Sequence, residues 1–301
     1  MPPVFPRRVA IAILMAIGCA FAGNHVAARV AFDHDTGLLV AVLCRSGLTF
    51  LVLTALVLWQ RESLRLPKGT GRWQLLLGLL IAVQSLCLYS AVARIPVALA
   101  LLISNTFPLL LALINWALGG TLPSRRTRWI MALILFGLTL VLDLPARLSG
   151  MAGSDPRWWA GVGFALGAAS VFALGLWVTE NRLQPLRGSV RSMLTVGIVF
   201  ASMLLAGASG LVPGGMRWPH DAPGWTGLAL LTLLYGIAFS VMFVTLPRLN
   251  MAENAPAMNI EPVATLFLGW WILQQTLAPI QIAGALVVVG GIVWLGWRRA
   301  G

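Results

Sequence analysis

Ten runs of mostly apolar residues follow one another along this chain, each near the ~20 residues a helix needs to cross a bilayer. They cover residues 9–30, 38–59, 73–93, 97–118, 129–145, 158–178, 192–212, 225–246, 255–274 and 279–297. Hydrocarbon offers no partner to a bare peptide group, so such runs fold as helices that satisfy their own N–H and C=O groups. Composition agrees: 59% hydrophobic residues, 10% charged residues and a mean hydropathy of +0.88 leave 301 residues too little polar surface to coat a soluble globule. The expected fold class is an all-α integral membrane protein with ten transmembrane helices, surrounded by membrane lipids.

The runs also repeat. Arg94, Asn105, Pro108 and Gly137 recur as Arg248, Asn259, Pro262 and Gly291, all at an offset of 154 residues. An odd number of crossings separates Arg94 from Arg248, so the second copy stands upside down relative to the first. Residues 9–145 read as the first five-helix repeat, 146–157 as an extramembrane linker and 158–297 as the second repeat. Inverted repeats of this kind let a carrier hold a site near the midplane and open it to alternate sides.

The formal charge of +12 is spread through short connections rather than gathered on one domain, and the hydropathy excludes a soluble nucleic-acid binder. Fifteen Lys and Arg residues fall on the side of the N-terminus and five on the other, with Arg45 inside a span. That bias places both termini in the cytoplasm. Val9 to Gly23 follows Arg7 and Arg8 like the core of a signal peptide, but it continues through Asn24 and His25 and is read as the first span. Cys19, Cys44 and Cys87 fall within spans and are read as buried, reduced residues, not as a disulfide or metal site. Gly161, Gly163, Gly167 and Gly175 read as a helix-packing stripe.

Several segments together resemble the drug/metabolite transporter superfamily, and within it the EamA-type ten-helix carriers. Gly18 to Arg29 (GCAFAGNHVAAR) is similar to that family's first span, and Arg45 stands where its second span carries an arginine. Tyr89 to Pro108 (YSAVARIPVALALLISNTFP) is similar to the third-to-fourth-span junction, Asn259 to Val263 (NIEPV) to the Glu-Pro signature of span nine, and Gln281 to Leu295 (QIAGALVVVGGIVWL) to the last helix. The chain departs from the family where each fourth helix of a repeat usually ends in Glu-Leu: here stand Gly119, Gly120, Thr121, Leu122 and Gln274, Gln275, Thr276, Leu277. The resemblance implies two inverted five-helix repeats and an exporter of small metabolites, often amino acids, in the bacterial inner membrane.

An Arg or Asp at mid-span costs about 2.5–3.5 kcal/mol, so each polar residue there calls for a cavity or a partner. At ~1.5 Å rise per residue, Arg45 lies ~10 Å below the outer end of span two and Asn105 ~12 Å below that of span four. Asn24, His25 and Tyr89 share that outer band. Arg45 is read either as a fixed cation for an anionic group of a small-molecule substrate, with Asn24, Tyr89 and Asn105 as hydrogen-bonding walls, or as a snorkelling residue bonded to neighbouring carbonyls. Tyr235, Phe239, Trp177 and Phe107 are candidates for an aromatic lining. Glu261, ~9 Å from the cytoplasmic end of span nine, and His25 are candidate proton carriers. The same count separates Glu261 from Arg45 by roughly 10 Å in depth and argues against a direct pair. Pro108, Pro262 and Asn259 are candidate gating positions, because proline removes a donor and loosens the turn before it.

A membrane-embedded enzyme is the competing class. With His25, His34 and His220 as the histidines, no HExxH, no paired thiolates and a single carboxylate well inside a span, the parts for metal or nucleophilic catalysis are missing, and no metal or cofactor is expected. A channel-like facilitator on the same fold stays open, although no ring of charge or filter-like loop marks one.

Overall fold

The computed structural model describes residues 5–119, 125–143, 155–210, 215–245, 248, 249, 257 and 260–297; most of the linker and Asn259 lie outside the described residues. The described chain is helical: α1 (Arg7–Asp33), α2 (Leu38–Trp59), α3 (Thr70–Val92), α4 (Val97–Ser104), α5 (Phe107–Ala117), α6 (Arg125–Val141), α7 (Pro156–Arg182), α8 (Gly188–Ser209), α9 (Ala222–Thr245), α10 (Ile260–Leu273) and α11 (Pro279–Trp297). Seven spans are long and apolar enough to cross a membrane, Val97–Ala117 counted as one, and three shorter apolar helices complete the ten.

The fourth span differs from the continuous helix expected at 97–118. It breaks between α4 and α5, where Asn105 ends one helix and Thr106 begins the next. Pro108 is the physical reason: it has no N–H to give the carbonyl four residues back, and it sits comfortably only in the first turn of a new helix. Thr106 Oγ1 bonds the Ile103 carbonyl at 2.7 Å and steadies the break. Pro262 likewise stands in the first turn of α10, beside Glu261, so neither proline kinks the middle of a described helix.

Helix contacts obey an exchange symmetry between the repeats. α1 packs on α9, and its counterpart α7 packs on α3; α1 meets α10 as α7 meets α4 and α5; α2 meets α9 as α3 meets α8. The pairs α2 with α8, α4 with α10 and α6 with α11 map onto themselves. The same reciprocity holds for single residues. A Cβ on Gly137 would lie 2.9 Å from Val287 and Val288 of α11, and one on Gly291 would lie 2.5 Å from Ile134 of α6. Arg94 stacks on Phe164 of α7 at 4.8 Å, while Arg248 stacks on Phe5 just before α1 at 4.0 Å.

Small residues bring particular helices close. A Cβ on Gly227 of α9 would lie 2.7 Å from the Ala31 backbone N of α1, and one on Gly284 of α11 2.6 Å from the Val141 backbone N. The expected glycine stripe of α7 is only partly of this kind: Gly161 abuts Ile95, Gly167 and Gly175 make ordinary contacts, and Gly163 meets nothing. Cys44 and Cys87 are half-buried and Cys19 is exposed on the outside of α1, correcting its expected burial; all three are free.

Candidate functional site

The site grows from a cation that α2 cannot hide. Arg45 is 5% exposed, and no carboxylate pairs with it among the described residues. Its guanidinium lies between two tyrosine rings, 4.5 Å from the centroid of Tyr89 and 4.4 Å from that of Tyr235. It donates to Ser85 Oγ at 2.6 Å and to Tyr89 Oη at 3.2 Å. Two desolvated cation–π contacts of ~0.5–2 kcal/mol each and two charge-assisted hydrogen bonds are together enough to offset the cost of an arginine in a span. The remaining N–H groups stay available.

A second layer fixes this arrangement. Tyr89 Oη donates to Asn24 Oδ1 at 3.3 Å, and Asn24 Nδ2 donates to the Leu231 carbonyl at 2.7 Å. The chain of bonds therefore runs from α2 through α3 and α1 to α9. Tyr89 and Asn24 are fully buried, and neither lines the cavity described next. They stand behind Arg45.

Arg45 lines a cavity of about 550 Å³ that also takes in His25, Asn105, Pro108, Tyr235, Glu261 and Pro262. The first four spans of each repeat contribute side chains, whereas the described residues of α6 and α11 contribute none. Ser104 and Asn105 bring the broken turn of the fourth span to its wall. Of the expected aromatic lining, Tyr235, Phe239 and Phe107 are present, joined by Phe21 and Phe172. Trp177 is not among the lining residues and lies instead 5.8 Å from the Arg182 guanidinium.

Glu261 enters differently from the depth count. α10 begins at Ile260, which puts the carboxylate in a first turn where helix dipoles favour negative charge. Its Oε1 lies 3.5 Å from His25 Nε2, so it stands level with the polar band instead of 10 Å below it. The count assumed a span running continuously from residue 255, whereas the described helix starts at Ile260. His25 Nδ1 is buried and has no hydrogen-bond partner among the described residues.

The cavity has two unlike ends. Toward the end that carries Arg61, Arg182 and Arg187, its lining reaches Thr179, Arg191 and Ser192 and shares residues with a recess bounded by Glu62, Arg187 and Ser189. The opposite end is tied shut, by one bond within the first repeat and three contacts across the repeats. Arg29 donates to the Val92 carbonyl at 3.1 Å, Arg157 to the Ala93 carbonyl at 3.0 Å and Gly37 N to the Arg217 carbonyl at 2.8 Å, while His34 Nδ1 meets Asp221 at 2.5 Å. Gln275 Oε1, in the stretch where the resembling family carries a carboxylate, accepts from Val97 N at 3.1 Å and caps α4 without charge.

Sequence reading overlooked Ser85, Gln84 and Arg191. Ser85 was legible in principle, since it lies four residues before Tyr89 and shares its helix face. Arg191 was absorbed into the count of orienting charges.

Fold and site together define a multi-pass membrane protein in which two five-span repeats enclose one polar-ended cavity. A family model described as the EamA-like transporter family matches residues 9–143 and again 159–297, and the chain belongs to that family. The threonine/homoserine exporter RhtA of Escherichia coli is 26% identical over 208 residues, 68% of this chain and 63% of the relative. An uncharacterized transporter of Synechocystis is 25% identical over 227 residues, 74% of this chain and 65% of its own. In both cases the match spans less than two thirds of the relative's length. A solved crystal structure aligns over 95% of this chain and 96% of its own with a TM-score of 0.60 and 22% identity, a likeness of fold alone.

Proposed function

We propose that this protein is a secondary transporter that exports small metabolites bearing a carboxylate, amino acids among them, across the bacterial inner membrane by alternating access. The observation that carries the reading is Arg45: a pre-oriented guanidinium with no acidic partner among the described residues, lining a cavity built by both repeats. A planar cation with free N–H groups suits a carboxylate, which it can grip with two parallel bonds. Asn105 and Tyr235 are the neutral walls of that site, and Tyr89 and Asn24 act through Arg45. With the basic end cytoplasmic, as the charge bias indicates, the conformation is inward-facing.

The His25–Glu261 pair supports proton coupling as a second element of the reading. It joins α1 of one repeat to α10 of the other, lines the same cavity and leaves one imidazole nitrogen uncommitted. A proton held between the two groups would be exchanged when the repeats move. Pro108 and Pro262 open the turns around which that movement takes place.

Counterflow in proteoliposomes loaded in turn with threonine, homoserine, other amino acids and simple carboxylates tests the proposal. Saturable exchange of one class that Arg45→Gln abolishes is the expected result; normal exchange by Arg45→Gln would remove the substrate-cation role. Exchange unaffected by collapse of the pH gradient would remove the coupling role of His25 and Glu261.

A further inference from the structure

Arg191 is a second cation in the same cavity. It lies in α8, three residues from the first residue Gly188, half-buried at the basic end of the lining. Its backbone carbonyl accepts from Gln74 Nε2 at 3.2 Å, but its guanidinium has neither a hydrogen bond nor an ion pair among the described residues. The placement is unfavourable by itself. Peptide dipoles already make this helix end positive, and α8 has no acidic residue in its first turn. Glu62, the carboxylate on that rim, takes its hydrogen bond from Ser189 and borders the adjoining recess beside Arg187. A purely orienting arginine would reach for lipid headgroups; this one lines the cavity together with Ser192 and Thr179, whose hydroxyl donates to the Gly175 carbonyl at 2.9 Å.

Fourteen residues of α2 separate Arg45 from the basic end and three of α8 separate Arg191 from it, which puts the Cα of Arg191 roughly 16 Å nearer that end along the helix axes. A molecule entering from that end meets Arg191 before Arg45. We infer that Arg191, with Thr179 and Ser192, is a docking station for the carboxylate of the substrate, engaged at the mouth before the molecule moves to Arg45. The inference rests on the carrier reading. It adds a site that neither the repeat symmetry nor the deep cluster supplies.

Two readings of one variant series test it. With Cys19, Cys44 and Cys87 replaced by alanine, Thr179→Cys puts a thiol in the mouth, and the modification rates by an anionic and a cationic methanethiosulfonate are compared. Arg191→Gln should lower the anion-to-cation rate ratio about fivefold and Arg191→Lys should preserve it; an unchanged ratio in the Gln form overturns the station. In threonine counterflow with otherwise native protein, Arg191→Gln should raise the half-saturating concentration about tenfold and keep the maximal rate within about twofold. A maximal rate lost at constant half-saturation marks a structural role instead and also overturns it. If native protein exchanges none of the compounds, the carrier reading fails, while the thiol ratio still decides whether Arg191 draws anions to the mouth.

Discussion

Arg45 is tolerable within α2 because four side chains are spent on it. Tyr89 is the pivot, accepting from Arg45 and donating to Asn24 while its ring covers one face of the guanidinium. Tyr89→Phe keeps the ring and removes both bonds, leaving Asn24 Oδ1 buried without its donor. Thermal unfolding in detergent should register a loss of about 1 kcal/mol; an unchanged midpoint would mean that the hydroxyl carries no structural load. Arg45→Lys keeps the charge but not the fork or the stacked plane, so exchange should persist with half-saturation raised about tenfold or more. Arg45, Asn24, Tyr89 and His25 were legible in the sequence because polar residues in a span are expensive and therefore few. Their division of labour was not. Counting residues gives height along a helix but not which way a side chain turns, so Tyr89 and Asn24 read as walls of the cavity when they stand behind it.

At the scale of elements, positions fixed by chain connectivity were legible and positions fixed by packing were not. The repeat offset located Pro108 and Pro262, yet a count along continuous helices missed that both lie in first turns, and so placed Glu261 about 10 Å below Arg45, whereas it stands 3.5 Å from His25 of the same polar band. Packing between α6 and α11 rests on backbone approach: a Cβ on Gly284 would press on Val141 N and Gly137 O, atoms that cannot rotate away. Gly284→Ala should cost about 1–3 kcal/mol in detergent unfolding, whereas Gly163→Ala, with open space around it, should cost nothing; equal stability of the two would contradict that approach. The outer end of α9 is held by Asp221, whose carboxylate accepts from Gly224 N at 2.9 Å and meets His34. Mainly the Gly224 N–H, with His34 in support and desolvation opposing, holds this carboxyl below its ordinary pKa. A folded-state pKa below the unfolded one stabilises above the unfolded value and is lost as pH falls through the folded one. Stability of this end should therefore decline from about pH 4 downward, and Asp221→Ala should flatten that decline in a pH series of melting curves.

For the whole molecule, the contact pattern is the strongest evidence for the mechanism proposed. Every major helix contact between the repeats has a counterpart under their exchange, so the ties that close one end of the cavity have potential equivalents at the other. Two arrangements of near-equal energy are what an alternating carrier needs. Here the ties across Arg29, Gly37, Arg157 and the His34–Asp221 contact hold one end closed, and the lining reaches Arg191 at the other. The measurement that tests alternating access most directly is trans-stimulation: initial uptake into proteoliposomes of the labelled compound that counterflow selects, with and without the same compound unlabelled inside. Uptake should saturate, accelerate several-fold when the inside is loaded, and lose that acceleration in Arg45→Gln. Uptake that neither saturates nor responds to the internal compound would describe a channel-like facilitator and contradict the alternating carrier.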